Sequence, residues 1–445
     1  MAAIERSVPS MLAYATLSAP LSMLMLQLIV YLPPFYAAEM GIDLAKVGLV
    51  FFAARAWDAV IDPFIGNLSD RTRSRWGRRK PWIVIGTPAL MLLTGLFAQP
   101  PDGVGLGYLL VTAFLFYISL TVVQVPYMSW GAELSRSYEG RTRVGAYREG
   151  GLMAGILLAV AMPLIILASG EPSLRDILRV FVLAVVILLP ITAFLATRMT
   201  PSGAFVDTGR KGLVEALKLL RQNAPLKRVL SGVFLLWLGG SMFNALVLFV
   251  VERKLGLSNG DFLWFVFVQY TLSILLLPFS VRIGNRFGRH RALVFGGFGF
   301  LALLPLLSIV PSGNFPAAMT VFVLLGLISN FIWIMPPAIV ADTVEYGMFK
   351  GAGDDSAIYM ALYLFTQKIA LAAGVGIALP LAAYLGFDPT APSGPEALRA
   401  LSIVALILPC VIGFFGAITL FNYPIDARRH SIIRRWLARR GAKVE

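Results

Sequence analysis

Apolar runs long enough to cross a bilayer recur from one end of this chain to the other. A helix needs about 20 such residues to span the hydrocarbon core. Windows of that length centre on 10–37, 44–67, 81–99, 105–133, 145–169, 174–197, 227–251, 261–283, 291–311, 316–341, 356–385 and 397–421, which predicts twelve spans. Hydrophobic residues make up 58% of the chain and charged residues 14%, against about 45–50% and about 25% in soluble domains. The expected product is an all-α membrane protein, multi-pass, in the cell inner membrane.

The charges that do occur are unevenly placed. If the N-terminus, the even-to-odd connections and the C-terminus share one side, that side holds 30 of the 38 Lys and Arg. Six (Lys46, Arg175, Arg179, Arg253, Lys254 and Arg399) fall on the other, and Arg55 and Lys368 fall inside spans. Basic residues are retained in the cytoplasm, so both termini are expected there. The net charge of +14 is then an orientation and lipid-headgroup signal, with membrane lipids as partners and no nucleic acid.

Six spans, a charged connection and six more spans suggest a duplicated chain. IGNLSDRTRSRWGRRKPW follows span two and IGNRFGRHRAL follows span eight; both begin Ile-Gly-Asn, and both place Gly-Arg before further bases. The expected organisation is a first half over 1–198, a cytoplasmic linker over 199–226, a second half over 227–421 and a basic cytoplasmic tail over 422–445. Two parallel halves with a site between them near mid-membrane is a transporter architecture. The linker reads as an amphipathic helix over 206–222, and the tail RRHSIIRRWLARRGAK as another.

Arg55, Asp58 and Asp62 fall on one helical stripe of span two. A carboxylate at membrane depth costs about 2.5–3.5 kcal/mol on insertion scales, so it has a job or a partner. Two carboxylates make a monovalent cation site. The bland alternative is a packing salt bridge from Arg55 to Asp58, but one arginine cannot neutralise two aspartates. Lys368 in span eleven lies too deep to snorkel and needs a carboxylate or a polar substrate to keep its proton. Pro126 in span four frees a carbonyl near Thr121, while Gln124, Tyr127 and Trp130 suit sugar recognition and helix packing equally. Asn244, Gln269, Asn330 and Trp333 stand the same way in the second half. The loop Asp70-Arg71…Gly77-Arg78-Arg79-Lys80 is a candidate gate, its bases pairing with carboxylates such as Glu133 in one conformation only.

No enzyme constellation appears. His290 and His430 lie in basic connections, Cys410 is alone, and there is no HExxH, GxSxG or Walker loop. Energy must come from an ion gradient, or transport is passive, with no cofactor beyond a coupling ion, H+ or Na+.

WDAVIDPFIGNLSDRTRSRWGRRKPW resembles the signature of the glycoside–pentoside–hexuronide:cation symporters (melibiose permease-like), a branch of the major facilitator superfamily. The resemblance extends to TVVQVPY, RTRVGAYRE, ADTVEYG and FTQKIALAAG, and so covers most of the chain. It implies the major facilitator fold, with 12 transmembrane helices in two six-helix halves, both termini cytoplasmic, working as a monomer. It implies a small-molecule substrate: a sugar, glycoside or uronate, or an amphipathic, lysolipid-like molecule as in vertebrate relatives. Asp58, Asp62 and Thr121 match the family's cation positions, making Na+ at Asp58 and Asp62 one reading. Arg148 and Lys368 match its sugar-side bases, and Gln124, Tyr127 and Trp333 complete the expected substrate set. Arg55, Asp70, Arg71, Arg78 and Glu133 form the expected gate. Ser18 and Gln124 stand where sugar-clamping aspartates are found, and Ile61 replaces a cation-site asparagine, which tilts the ion toward H+.

Overall fold

The computed structural model describes residues 8–135, 138–167, 170, 172–202, 219–350, 356–425, 429, 432–433 and 435–436. The helices predicted over 206–222 and 428–443 fall almost wholly outside the described residues. Those described contain helices and no strand.

In chain order the helices are α1 (Val8–Ala38), α2 (Leu44–Arg71), α3 (Lys80–Ala98), α4 (Leu106–Glu133), α5 (Tyr138–Ile166), α6 (Leu174–Met199), α7 (Ala224–Lys254), α8 (Asn259–Leu275, continued as Leu277–Phe287), α9 (Arg289–Ser308), α10 (Phe315–Phe349), α11 (Ser356–Tyr384) and α12 (Pro395–Phe421). Ten of them are long and apolar enough to cross a membrane, and the bent α8 pair makes up to 11. That is fewer than the twelve spans predicted. The helix that fails on apolarity is α2, which has 28 residues. Each of its 18-residue stretches carries more than two charged residues, above the limit for a lone span. Its charges include the ones that face a partner helix.

Local chemistry sets the helix ends. The Asp43 side chain caps α2 by accepting from the Lys46 amide at 3.0 Å, and Asn223 caps α7 through the Leu226 amide at 3.0 Å. α6 and α8 both open with a Ser-x-x-Asp capping box, Ser173 with Asp176 and Ser258 with Asp261. Each box satisfies two of the amides that a helix start leaves bare. Pro278 removes the donor for the Ile274 carbonyl, and α8 turns by 53° there.

Small residues set the packing. Ser18 Oγ donates to the Arg148 carbonyl at 2.9 Å and Ser22 Oγ to the Leu152 carbonyl at 2.9 Å. Three residues beyond each acceptor lies a glycine, Gly151 or Gly155. A Cβ on either would sit 2.3 Å from a carbonyl oxygen of α1. The second half repeats the device where α7 meets α11: Ser241 Oγ donates to the Leu371 carbonyl at 2.7 Å, and Gly374 follows three residues on. Lipid supplies no hydrophobic drive between helices, so close backbone approach and buried hydroxyl bonds hold them instead.

α2 packs along α11, and α5 along the first part of α8. Gly48 has no room for a Cβ, which would lie 2.8 Å from Leu379 and Pro380; at Gly376 it would lie 2.6 Å from Phe52. Asn259 reaches the Pro172 carbonyl at 3.4 Å. These contacts join the two halves at the ends near Leu44 and Tyr384, away from the basic connections.

Candidate functional site

Asp58 and Asp62 lie one turn apart on α2, and their partner comes from α11. Lys368 Nζ donates to Asp58 Oδ2 at 2.8 Å and to Asp62 Oδ2 at 2.5 Å, across 310 and 306 residues of chain. Thr121 of α4 donates its hydroxyl to the other oxygen of Asp58, Oδ1. Asp58 is thereby saturated and buried. Asp62 is not, because its Oδ1 is buried without a partner. Pro63 next to it cannot donate to the Ala59 carbonyl, so α2 carries a free backbone acceptor in the same turn.

The three ion-paired groups, two carboxylates and one ammonium, carry one net negative charge, with the buried Arg55 guanidinium less than one turn of α2 from Asp58 and paired to neither aspartate. A monovalent cation or a proton has its opening at Asp62, which offers the unpartnered oxygen. The arrangement fits ion exchange.

Arg55 behaves differently from the stripe drawn on the sequence. It makes no ion pair with Asp58, whose charge partner is Lys368. Its guanidinium is buried with Nε unpaired. The spacing of i and i+3 brought the two onto one face but could not show that a lysine from the far half outcompetes the arginine.

The residues expected near the substrate are spread over two helices of the first half and two of the second. Arg148 on α5 pairs with Glu149 at 2.6 Å. Tyr127 is buried; its hydroxyl donates to the Tyr14 carbonyl at 3.0 Å, its ring stacks on Tyr14 at 4.6 Å, and Tyr14 returns a bond to the Tyr127 carbonyl. That pair fastens α1 to α4. Gln124 is half-buried one turn before it. Trp333 on α10 meets Trp237 of α7 edge-on at 4.0 Å and is 51% exposed. Ser18 spends its hydroxyl on the Ala15 and Arg148 carbonyls. Asn330 donates to the Ser273 carbonyl at 3.0 Å, tying α10 to α8.

At the basic end of the first half, a second charged cluster forms around Arg79. Arg79 and Arg78 both pair with Glu133, at 2.7 and 2.9 Å, and Arg79 also takes Asp70 and the Ser69 hydroxyl. Burial pulls the Arg79 pKa down, opposed by Glu133. Arg71 sits exposed at the last turn of α2. The cluster centres on Arg79, a residue the sequence pattern did not separate from its basic neighbours. Gly77 precedes it at φ 86, and the repeat in the second half has Gly288 at φ 99 followed by Arg289, paired with Asp342 at 2.6 Å. Both glycines take a positive φ, which only glycine adopts without strain, but in different settings: the Gly77 amide bonds the Ser74 carbonyl between helices, and the Gly288 amide bonds the Gly284 carbonyl at a helix end.

The family model described as MFS/sugar transport protein matches residues 13–427. The chain belongs to this family. It is a multi-pass membrane transporter, not an enzyme. It is 24% identical over 411 residues to the glucuronide carrier protein homolog of Escherichia coli (strain K12), covering 90% of this chain and 88% of that one. It is also 24% identical over 452 residues to the sodium-dependent lysophosphatidylcholine symporter 1-B of Danio rerio, covering 91% and 83%. Among solved structures it is similar to a D-xylose-proton symporter, with a TM-score of 0.68, 13% identity, and coverage of 96% of this chain and 99% of that one. That last likeness shows the fold, the major facilitator fold.

Proposed function

We propose that this protein is a cation-coupled symporter for a sugar, glycoside or uronate, working in the cell inner membrane with twelve spans and both termini cytoplasmic. The observation that carries this reading is Lys368 held between Asp58 and Asp62. Arrival of H+ or Na+ at the two aspartates competes with Lys368 and releases its ammonium toward the cargo, for which a uronate carboxylate is a natural acceptor. Cargo and ion then bias the same rocking equilibrium, which is what couples them. Thr121 orients Asp58. With Ile61 giving no oxygen to a coordination shell, H+ is the favoured ion.

Arg148, Gln124, Trp333 and Lys368 are the proposed cargo contacts, with Tyr127 positioning α1 beside them. Asp70, Arg71, Arg78 and Glu133 are the proposed closure of the basic side, and Arg55 sets the field at the aspartates.

A second reading, with a lysolipid-like cargo, has one feature in its favour. A groove of ≈ 620 Å³ between α1, α5 and α6 is lined almost wholly by apolar side chains, among them Leu12, Pro20, Ala154, Leu158 and Leu188. Purified protein in proteoliposomes separates the two readings. Labelled glucuronides, pentosides and lysophosphatidylcholine are offered under imposed H+ or Na+ gradients. Accumulation of a sugar driven by one of the ions is expected. Uptake of lysophosphatidylcholine alone would replace the first reading with the second, and uptake blind to both gradients would defeat both.

A further inference from the structure

α1 is interrupted at Gln27–Tyr31 by a π turn, in which the Leu32 amide bonds to the Gln27 carbonyl. The sequence reason is the pair that follows. Pro33 and Pro34 carry no N–H, so the Ile29 and Val30 carbonyls lose their helical donors and the turn widens. π turns inside helices are frequent at functional sites. The four-residue spacing puts the side chains of Gln27 and Tyr31 on nearly the same face.

Both side chains are sealed in and unsatisfied. Gln27 is 1% exposed with Nε2 unpaired, and Tyr31 is 0% exposed with its hydroxyl unpaired. Around Tyr31 stand Phe181 of α6, with ring centres 5.3 Å apart, and Phe262 of α8 at 6.0 Å. α7 packs against the turn. The turn therefore sits where the two halves close on each other, on the same side of Lys368 as Gly48 and Gly376.

A buried donor without an acceptor is a cost that a permanent packing contact would avoid, since an apolar side chain of the same shape carries none. In a protein that rocks between two states, the same donor is satisfied in the state that opens this side. An amide and a phenol flanked by aromatic rings match one cargo chemistry well: hydroxyls in a ring whose C–H face is apolar.

We infer that Gln27 and Tyr31 form a second cargo contact. It is closed and unpaired in this conformation, and it receives the hydroxyls of a sugar-class molecule when the halves part on the side away from the basic connections. This rests on the sugar-symport reading above. It adds two specificity residues, neither of which contacts Asp58, Asp62 or Lys368.

The test uses full-length protein in proteoliposomes, with Cys410 replaced by Ser and Val30→Cys as a reporter of opening. Maleimide labelling of that cysteine is measured with and without p-nitrophenyl-β-D-glucuronide and xylose, beside uptake of the labelled forms of both. Gln27→Leu and Tyr31→Phe, singly and together, are expected to keep or raise the melting temperature, because they delete only unpaired groups. They should slow labelling by about tenfold, because the closed state no longer bears their cost. They should also raise KM for the transported sugar while leaving the ion-to-sugar ratio unchanged. Variants that label and transport like an active wild type overturn this inference alone. A melting temperature that falls sharply in both single variants also overturns it, since the groups would then be structural. A wild type that takes up neither sugar defeats the sugar-symport reading and this inference together.

Discussion

Two charged clusters hold this molecule together, and they are built on opposite rules. At the centre, two acids share one base that arrives from the far half of the chain: Asp58 and Asp62 with Lys368. At the basic end of the first half, two acids meet two bases from their own half: Asp70 and Glu133 with Arg78 and Arg79. Counted by its ion pairs the first is one positive charge short, with Arg55 nearby but paired to neither acid, and it retains an unpaired carboxylate oxygen. The second matches acid to base among the ion pairs of the described residues, with Glu133 and Arg79 both nearly sealed, their side chains 7% and 6% exposed. A balanced cluster within one half stiffens that half. An unbalanced cluster between halves has something left to bind and two bodies to move. The comparison assigns coupling to the centre and rigidity to the end.

The largest effect should come from breaking the imbalance. Asp62→Asn removes the open oxygen's charge, and an amide cannot exchange a proton or cation at neutral pH. Accumulation against a gradient should vanish while the protein remains in the membrane. Gradient-driven uptake at the wild-type level would end the assignment of coupling to this cluster.

Lys368→Met comes next. It strands two carboxylates, and removing one partner of a buried pair costs about 3–5 kcal/mol; with the lysine side chain 23% exposed, the lower part of that range is expected. Uptake should fall by about tenfold or more. Rate, ion dependence and cargo affinity all unchanged would reduce Lys368 to a packing residue.

Arg79→Gln addresses the other cluster. It leaves Glu133 with Arg78 alone and should cost about 1–3 kcal/mol of stability, read as a lower melting temperature in detergent. The ion-to-cargo ratio measured in proteoliposomes should hold. A changed ratio would show that the end cluster takes part in coupling, and the contrast drawn here would fail.

The smallest effect belongs to Arg289→Gln, the second-half echo. Arg289 is 39% exposed, and solvent-screened pairs contribute about 0–1 kcal/mol. A stability loss as large as that of Arg79→Gln would mean that the two echoes are equal in strength although their glycine turns differ.

Much of this was legible before any coordinate. Apolar windows located the helices because lipid demands long unbroken apolar helices, and α2 was read as a span despite its charges. Asp58, Asp62 and Lys368 were visible as groups with no business in a bilayer. Less legible was which base answers which acid. In the sequence Lys368 reads as a base that needs a carboxylate and Arg55 to Asp58 as the bland packing pair; Lys368 makes the bond, and to both aspartates at once. Arg79 was one of six bases between 71 and 80, and only the fold of the Gly77 turn aims it at Glu133 and Asp70. Tyr127 carried the look of a sugar contact, but its hydroxyl is spent on the Tyr14 carbonyl. Gln27 and Tyr31 gave no signal beyond the Pro-Pro that follows them.

By itself the sequence determined which segments become helices and where the cost of charge falls, and it suggested an internal repeat, because these depend on composition and on neighbours within a turn or two. The tertiary structure alone decided that one lysine serves two aspartates across more than 300 residues, that a tyrosine is a fastener, and that two polar groups on α1 are closed off unpaired. Those outcomes depend on how near two helices can come. That nearness is set by the serine and glycine contacts between α1 and α5 and between α7 and α11, and by Gly48 and Gly376 where α2 meets α11, none of which is a local property of the chain.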